Sequence, residues 1–227
     1  MMNFNSYLIE KIKSKKIVLL GELHGTKEIP ELITSFFNEY LKENQCNICL
    51  EIPSDEQSNI DKFFKTGDQN YIYDMEFFKS KPSDGRNSKE YLDLITNIYN
   101  LNKNNKTNIF CIDVSIIDYT KDIQQQREIG IAKNIIKITN NREKTFVILG
   151  NMHIVKQKVT IGSISFLPVG YYLFEKYGNR VVSINLWPKE GKFFNFSVKK
   201  VPSDNLPDNY FDYTFLIDKA TPCSFLN

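Results

Sequence analysis

Two kinds of apolar pattern alternate along the chain. Short aliphatic runs recur at Ile17 to Leu20, Asn47 to Ile52, Thr107 to Val114, Lys144 to Leu149 and Arg180 to Leu186. Such near-continuous runs, bounded by polar residues, predict strands buried on both faces. Between them, apolar residues fall three and four apart. Ile29, Leu32, Ile33, Phe36, Phe37 and Leu41 predict a helix over Glu28 to Glu43, with Pro30 in its first turn. Tyr7, Leu8, Ile9 and Ile12 predict a helix within Asn3 to Ser14, and Ile60 and Phe64 a helical stretch after Pro53. Further helices are predicted over Lys89 to Leu101, over Asp122 to Thr139 with Asn140 and Asn141 as the break, and over Gly170 to Lys176. A small strand pair is expected in Lys158 to Phe166, and short strands at Phe193 to Val198 and Tyr213 to Ile217. This alternation implies right-handed βαβ units. The fold class is α/β: a mostly parallel central sheet flanked by helices, in a single domain over residues 1–227, with a pocket at the strand carboxyl ends. The segment Thr66 to Asn105 exceeds an ordinary crossover and carries Tyr71, Tyr73, Phe77 and Phe78, so it is expected to form a helical lid over that pocket.

Composition narrows the class. The 227 residues are 41% hydrophobic and 13% aromatic, enough for a sizeable core. The formal net charge is only +2, and the densest basic cluster, Lys13, Lys15 and Lys16, reads as a solvated helix end; no nucleic-acid partner is expected. No run is long and apolar enough to span a membrane. Met1 to Lys16 mixes apolar and charged residues without the apolar core of a secretory signal, so the expectation is a cytoplasmic protein or one whose leader has been removed. Cys46, Cys49, Cys111 and Cys223 do not form a disulfide framework, and Cys46 and Cys49 flank a strand-like run with no second pair to complete a zinc site.

The chain has two histidines, and both stand in the frame Gly-x-x-His: Gly21-Glu22-Leu23-His24 and Gly150-Asn151-Met152-His153. Each frame follows a predicted strand, which would deliver both imidazoles to one rim of the sheet. Glu22, two residues before His24, can fix its tautomer or share a metal with it. Glu51 and Asp113 end the second and third strands, where a carboxylate needs a partner. Arg127 lies mid-helix on the face of Ile131 and Ile135, placed to hold those carboxylates or an anionic substrate group, and Arg86 lies in a polar turn. No Gly-x-Ser-x-Gly elbow, phosphate-binding Gly-rich loop or dinucleotide fingerprint is present.

Leu19-Leu20-Gly21-Glu22-Leu23-His24-Gly25-Thr26 resembles the opening motif of the erythromycin esterase and ChaN-like superfamily, which includes the Tiki and TraB/GumN proteins. Leu50-Glu51 is similar to its second-strand glutamate, Asp84-Gly85-Arg86-Asn87-Ser88 to a polar turn of ChaN-like proteins, Arg127 with Ala132-Lys133-Asn134-Ile135 to its arginine helix, and Gly150-Asn151-Met152-His153 to its second histidine motif. The region after it, Pro168 to Leu173 and Tyr177-Gly178, continues the likeness. The spacing from Gly21 to His24 is nearer the ChaN-like and Tiki pattern than the esterase one. The resemblance implies a hydrolase-like site and leaves the substrate open.

The expected activity is therefore hydrolysis of an ester or amide, on a small-molecule or peptide substrate. Glu22, His24, Glu51, Arg127 and His153 form the catalytic set, with His24 as base and Arg127 and His153 on the oxyanion; Arg86 and Asp113 contact substrate. A divalent zinc or manganese ion held by His24, His153 and Glu22 is one option. The alternatives are a haem- or other ligand-binding protein of ChaN type and an inactive interaction domain.

Overall fold

Aliphatic runs with no polar face can be satisfied only at the centre of a sheet covered on both sides, and that is where they lie. The computed structural model describes residues 4–102, 107–115, 122–139, 143–203 and 208–226. In chain order the elements are α1 (Phe4–Ile12), β1 (Ile17–Glu22), α2 (Glu28–Tyr40), β2 (Cys46–Pro53), α3 (Gln57–Thr66), α4 (Asn70–Tyr73), α5 (Glu76–Lys79), α6 (Lys89–Leu101) and β3 (Thr107–Asp113). They continue with α7 (Ile123–Ile138), β4 (Lys144–Gly150), β5 (Val159–Ile161), β6 (Ile164–Phe166), α8 (Val169–Tyr177), β7 (Val181–Pro188), β8 (Lys192–Phe194), β9 (Val198–Lys200) and β10 (Tyr213–Ile217). The expected helix break at Asn140 and Asn141 lies outside the described residues.

Six strands pair in parallel in the order β10-β7-β1-β4-β2-β3. Every residue of β1 is buried. Alternate side chains feed two cores. Val18, Leu20, Ile48, Leu50, Phe146 and Ile148 face α1, α2 and α6, while Ile17, Leu19, Cys49, Val147 and Leu149 face α7 and α8. The strand pair β5–β6 and the hairpin β8–β9 are separate two-stranded units. The segment expected as a lid contributes Ile72, Met75, Phe78, Leu92, Ile95 and Ile98 to the first core. Its aromatic stretch is thus anchored in packing, and its turn delivers Arg86 to the rim of the sheet.

Topology places the site. After β3 the chain returns to insert β4 between β1 and β2, so β1 and β4 are neighbours although far apart in sequence. Their register pairs Glu22 with Gly150. Both Gly-x-x-His frames therefore leave the sheet side by side at its carboxyl end, where open α/β sheets bind ligands.

Candidate functional site

The site centres on Glu51. Pairing of β2 with β3 is regular up to Leu50 opposite Cys111 and resumes with Pro53 opposite Asp113, so β2 carries an extra residue there. Such a bulge re-aims a side chain. Here it sets Glu51, 1% exposed, under the rim. Glu51 Oε2 accepts the Gly150 amide at 2.7 Å, and Oε1 accepts from Arg86 at 2.8 Å and Arg127 at 2.6 Å. Burial alone would raise its pKa, but the Arg86 guanidinium foremost, and His24, hold it well below the ordinary carboxylate range.

The two imidazoles approach this carboxylate from opposite sides. His24 Nε2 lies 3.5 Å from Glu51 Oε2, and His153 Nε2 lies 3.5 Å from Oε1. Gly150 leaves the space between them: a Cβ there would sit 2.7 Å from His24 Nε2 and 3.4 Å from His153 Cδ2. Their environments differ. His24 Nδ1 meets Glu22 Oε1 at 2.7 Å, so both ring nitrogens face carboxylates. Burial opposes its charge, but the carboxylates of Glu51 and Glu22 prevail and raise it to about 10. His153 Nε2 lies 3.1 Å from Arg127 Nη1. A guanidinium only donates, so Nε2 must accept and the ring proton sits on Nδ1. That Nδ1 lies 2.7 Å from Glu128 Oε1, a close charge contact off the hydrogen-bond axis.

Glu128 is fully buried and is anchored by Gln124 and by the Val169 amide at 2.9 Å. It was not singled out in the sequence, although its position three before Ile131 and four before Ala132 puts it on the buried side of α7. Asp113 accepts both Nε and Nη2 of Arg127, at 2.9 and 2.8 Å, and Arg86 Nη1 at 3.3 Å. Arg86 also pairs with Asp84 at 2.9 Å. Arg86 and Asp113, expected to touch substrate, thus complete an ion network behind Glu51.

In front of the network is a cavity of about 200 Å³. Glu22, His24, Gly150 and His153 line it together with Leu23, Asn151 and Met152. Phe193 and Asn195, from β8 and the turn after it, close one side. The turn is tied to the first histidine loop: Gly25, at φ +78°, offers its carbonyl to the amides of Phe194 and Cys223, each at 2.9 Å. The strand expected over Phe193 to Val198 is instead two short strands, β8 and β9, paired antiparallel around a turn at 195–197, and it is this turn that no sequence signal indicated.

The donors expected to bind a metal do not converge on one. His24 gives both nitrogens to carboxylates, His153 Nε2 faces a guanidinium, and Glu22 is taken by His24. A cation between the imidazoles would lie against Arg127. No group of three or more His, Cys, Asp or Glu suited to a metal ion occurs among the described residues. The described residues therefore do not support the expected zinc or manganese site on His24, His153 and Glu22.

Fold and site define an α/β protein with an acid–imidazole–guanidinium pocket at the carboxyl ends of its strands. No protein-family profile and no curated protein sequence matches the chain. Solved structures do. A protein from Bacillus cereus is 17% identical with a TM-score of 0.68, over 88% of this chain and 74% of its own. A mutant of the erythromycin esterase EreC, in its open conformation, is 13% identical with a TM-score of 0.66, over 92% and 82%. ChaN of Campylobacter jejuni, solved with cofacially bound haem, is 14% identical with a TM-score of 0.59, over 94% and 91%. The chain has the erythromycin esterase and ChaN-like fold. No helix among the described residues is long and apolar enough to cross a membrane.

Proposed function

We propose that the pocket hydrolyses an ester or amide by acid–base catalysis shared between the two imidazoles. The observation that carries this reading is their opposite settings on one carboxylate. His24, between Glu22 and Glu51, is an imidazolium at neutral pH. His153 keeps the lone pair of its ring on Nε2, where it accepts from Arg127 Nη1 at rest. A water that takes the place of Arg127 Nη1 at His153 Nε2 gives up its proton to that nitrogen as its oxygen adds to the substrate carbonyl, while Arg127 stays paired to Glu51 and Asp113. His24 donates a hydrogen bond to the resulting oxyanion and then its proton to the leaving group. The base role expected for His24 thus passes to His153. Arg127 and Arg86 hold Glu51 ionised, and Glu51 holds His24 charged.

The second reading is haem binding, favoured by the ChaN likeness. The cavity counts against it. At about 200 Å³ it is below the ~300–1,000 Å³ of pockets that enclose a drug-sized ligand, and the carboxylate of Glu22 lines it. A panel of neutral esters and peptides separates the two. His24→Ala, His153→Ala and Glu51→Gln should each lower turnover by at least a hundredfold, the usual worth of a general acid or base. Haem titration should give no stoichiometric complex. A stoichiometric, histidine-dependent Soret band with no hydrolysis across the panel would overturn the proposal in favour of haem binding.

A further inference from the structure

Two carboxamides in the cavity have no task in the network. Asn151 opens the 3-10 turn Asn151–Ile154, between Gly150 and His153, and its side chain lines the cavity. Asn195 lines the other side, from the turn between β8 and β9. Neither side-chain amide makes a hydrogen bond among the described residues. Every charged group around them does: Glu22, His24, Glu51, Asp113, Arg86 and Arg127 all pair within the cluster.

Asn195 is held in place. Its own amide donates to the Ser197 carbonyl at 2.9 Å, and the next amide, Phe196, donates to the Ser83 carbonyl at 2.5 Å. The Phe194 amide donates to Gly25, and the Phe194 ring meets Phe225 edge-on at 4.7 Å. Phe196 adopts φ 57°, a left-handed conformation that costs energy in a residue with a side chain and persists only where the surroundings enforce it. The turn is thus tied both to the loop carrying His24 and to the turn carrying Arg86. A tied, strained turn that presents an unused amide beside two imidazoles is placed to orient a ligand.

Charge and size then describe the ligand. The acids of the cluster, Glu22, Glu51, Asp84, Asp113 and Glu128, outnumber its two guanidiniums and two imidazoles even with both rings protonated. A carboxylate entering the cavity would meet net negative charge, because His24, the one cation lining it among the described residues, is already matched by Glu22 and Glu51. An uncharged carbonyl meets no such penalty, and its oxygen can accept from a carboxamide. Leu23, Met152 and Phe193 supply apolar wall. The cavity of about 200 Å³ holds roughly six or seven water-sized groups at ~30 Å³ each.

We propose that Asn151 and Asn195 are the carboxamides that bind the substrate carbonyl, and that the site selects an uncharged, compact ester or amide over carboxylates. This rests on the hydrolase reading for the word substrate, and the test separates the two. The probes are butyl methyl ketone, a non-hydrolysable ester mimic, and pentanoate, its carboxylate isostere. In the wild-type protein, the side-chain amide NMR signals of Asn151 and Asn195 should shift saturably with the ketone and not with pentanoate. Asn195→Ala should weaken ketone binding about five- to tenfold, the loss of one hydrogen bond. With p-nitrophenyl butyrate the same variant should raise KM by a similar factor and leave the alkaline limb of the pH profile in place. Ketone shifts without hydrolysis of any ester would support the recognition and refute the hydrolase reading. Hydrolysis with unmoved amide signals, no response to either probe, or equal binding of pentanoate would overturn the proposal.

Discussion

At the scale of single residues, the site turns on how charge is distributed around Glu51. A buried carboxylate is costly without partners, and two guanidiniums and an imidazolium supply them. Arg127→Leu removes one of these and also leaves Asp113 short of its bidentate partner. It should destabilise the protein by about 3 kcal/mol in denaturant melts, the usual cost of leaving buried charge uncompensated. A variant that melts like wild type would mean that Arg127 carries none of this charge. The pH dependence follows from the same groups. His24 is raised from 6.5 to about 10, so its contribution is full below pH 6.5 and disappears as pH rises through 10. Glu51 is lowered, so its contribution is present above its ordinary value of 4.5 and is lost as pH falls below that. Wild-type Tm should therefore fall steadily between pH 7 and 10. His24→Asn should start lower at pH 7 and show a flatter profile over that range, and parallel curves for the two proteins would contradict the assignment.

At the scale of elements, the backbone positions the side chains at two glycines with different demands. Gly150 has ordinary angles, φ −55° and ψ 141°, but a Cβ there would press on His24 Nε2. The imidazoles are side-chain ends that can swing away. Gly150→Ala should thus lower turnover at least tenfold while changing stability by less than ~1 kcal/mol. Gly25 sits at φ +78°, and its Cβ would fall 1.8 Å from the Phe194 carbonyl oxygen, which is backbone. Gly25→Ala should destabilise by ~2 kcal/mol or more, because neither the angle nor the neighbour can give. If both variants behave alike in melts and kinetics, this division is wrong.

Much of this was legible in the chain itself. Aliphatic runs and three-four spacing reported strands and helices to within a few residues, because every sheet strand but the two edge strands β3 and β10 is buried throughout or nearly so. Glu22, His24, Glu51 and His153 stood out because a polar residue at or just past the end of such a run falls on the ligand-facing rim of the sheet. Glu128 was half-legible, since its helical position faces inward. Asn195 was not, because its place depends on how the β8–β9 hairpin folds back onto Gly25, a tertiary contact without local pattern. The metal expectation finds no support for a related reason: spacing brings two imidazoles together, but only the fold shows a guanidinium beside His153.

At the scale of the whole molecule, the crossover order makes the site. Inserting β4 beside β1 unites two distant copies of one short frame, and α7 sets Arg127 and Glu128 behind them. The segment around α4 to α6 is part of the core on one face, and α7 and α8 form the other, so the pocket mouth is left to loops and the β8–β9 hairpin. The fold is shared with an esterase and with a haem-binding protein, so fold alone does not decide the chemistry. The protonation of the two rings does. Because the chain has only two histidines, their four ring nitrogens can be followed directly by 15N NMR as pH is raised. At pH 7 His24 should be protonated on both nitrogens, losing its proton near pH 10, while His153 should carry its ring proton on Nδ1 with Nε2 accepting from Arg127. A neutral His24 at pH 7, or a His153 ring that carries its proton on Nε2, would contradict this division of roles.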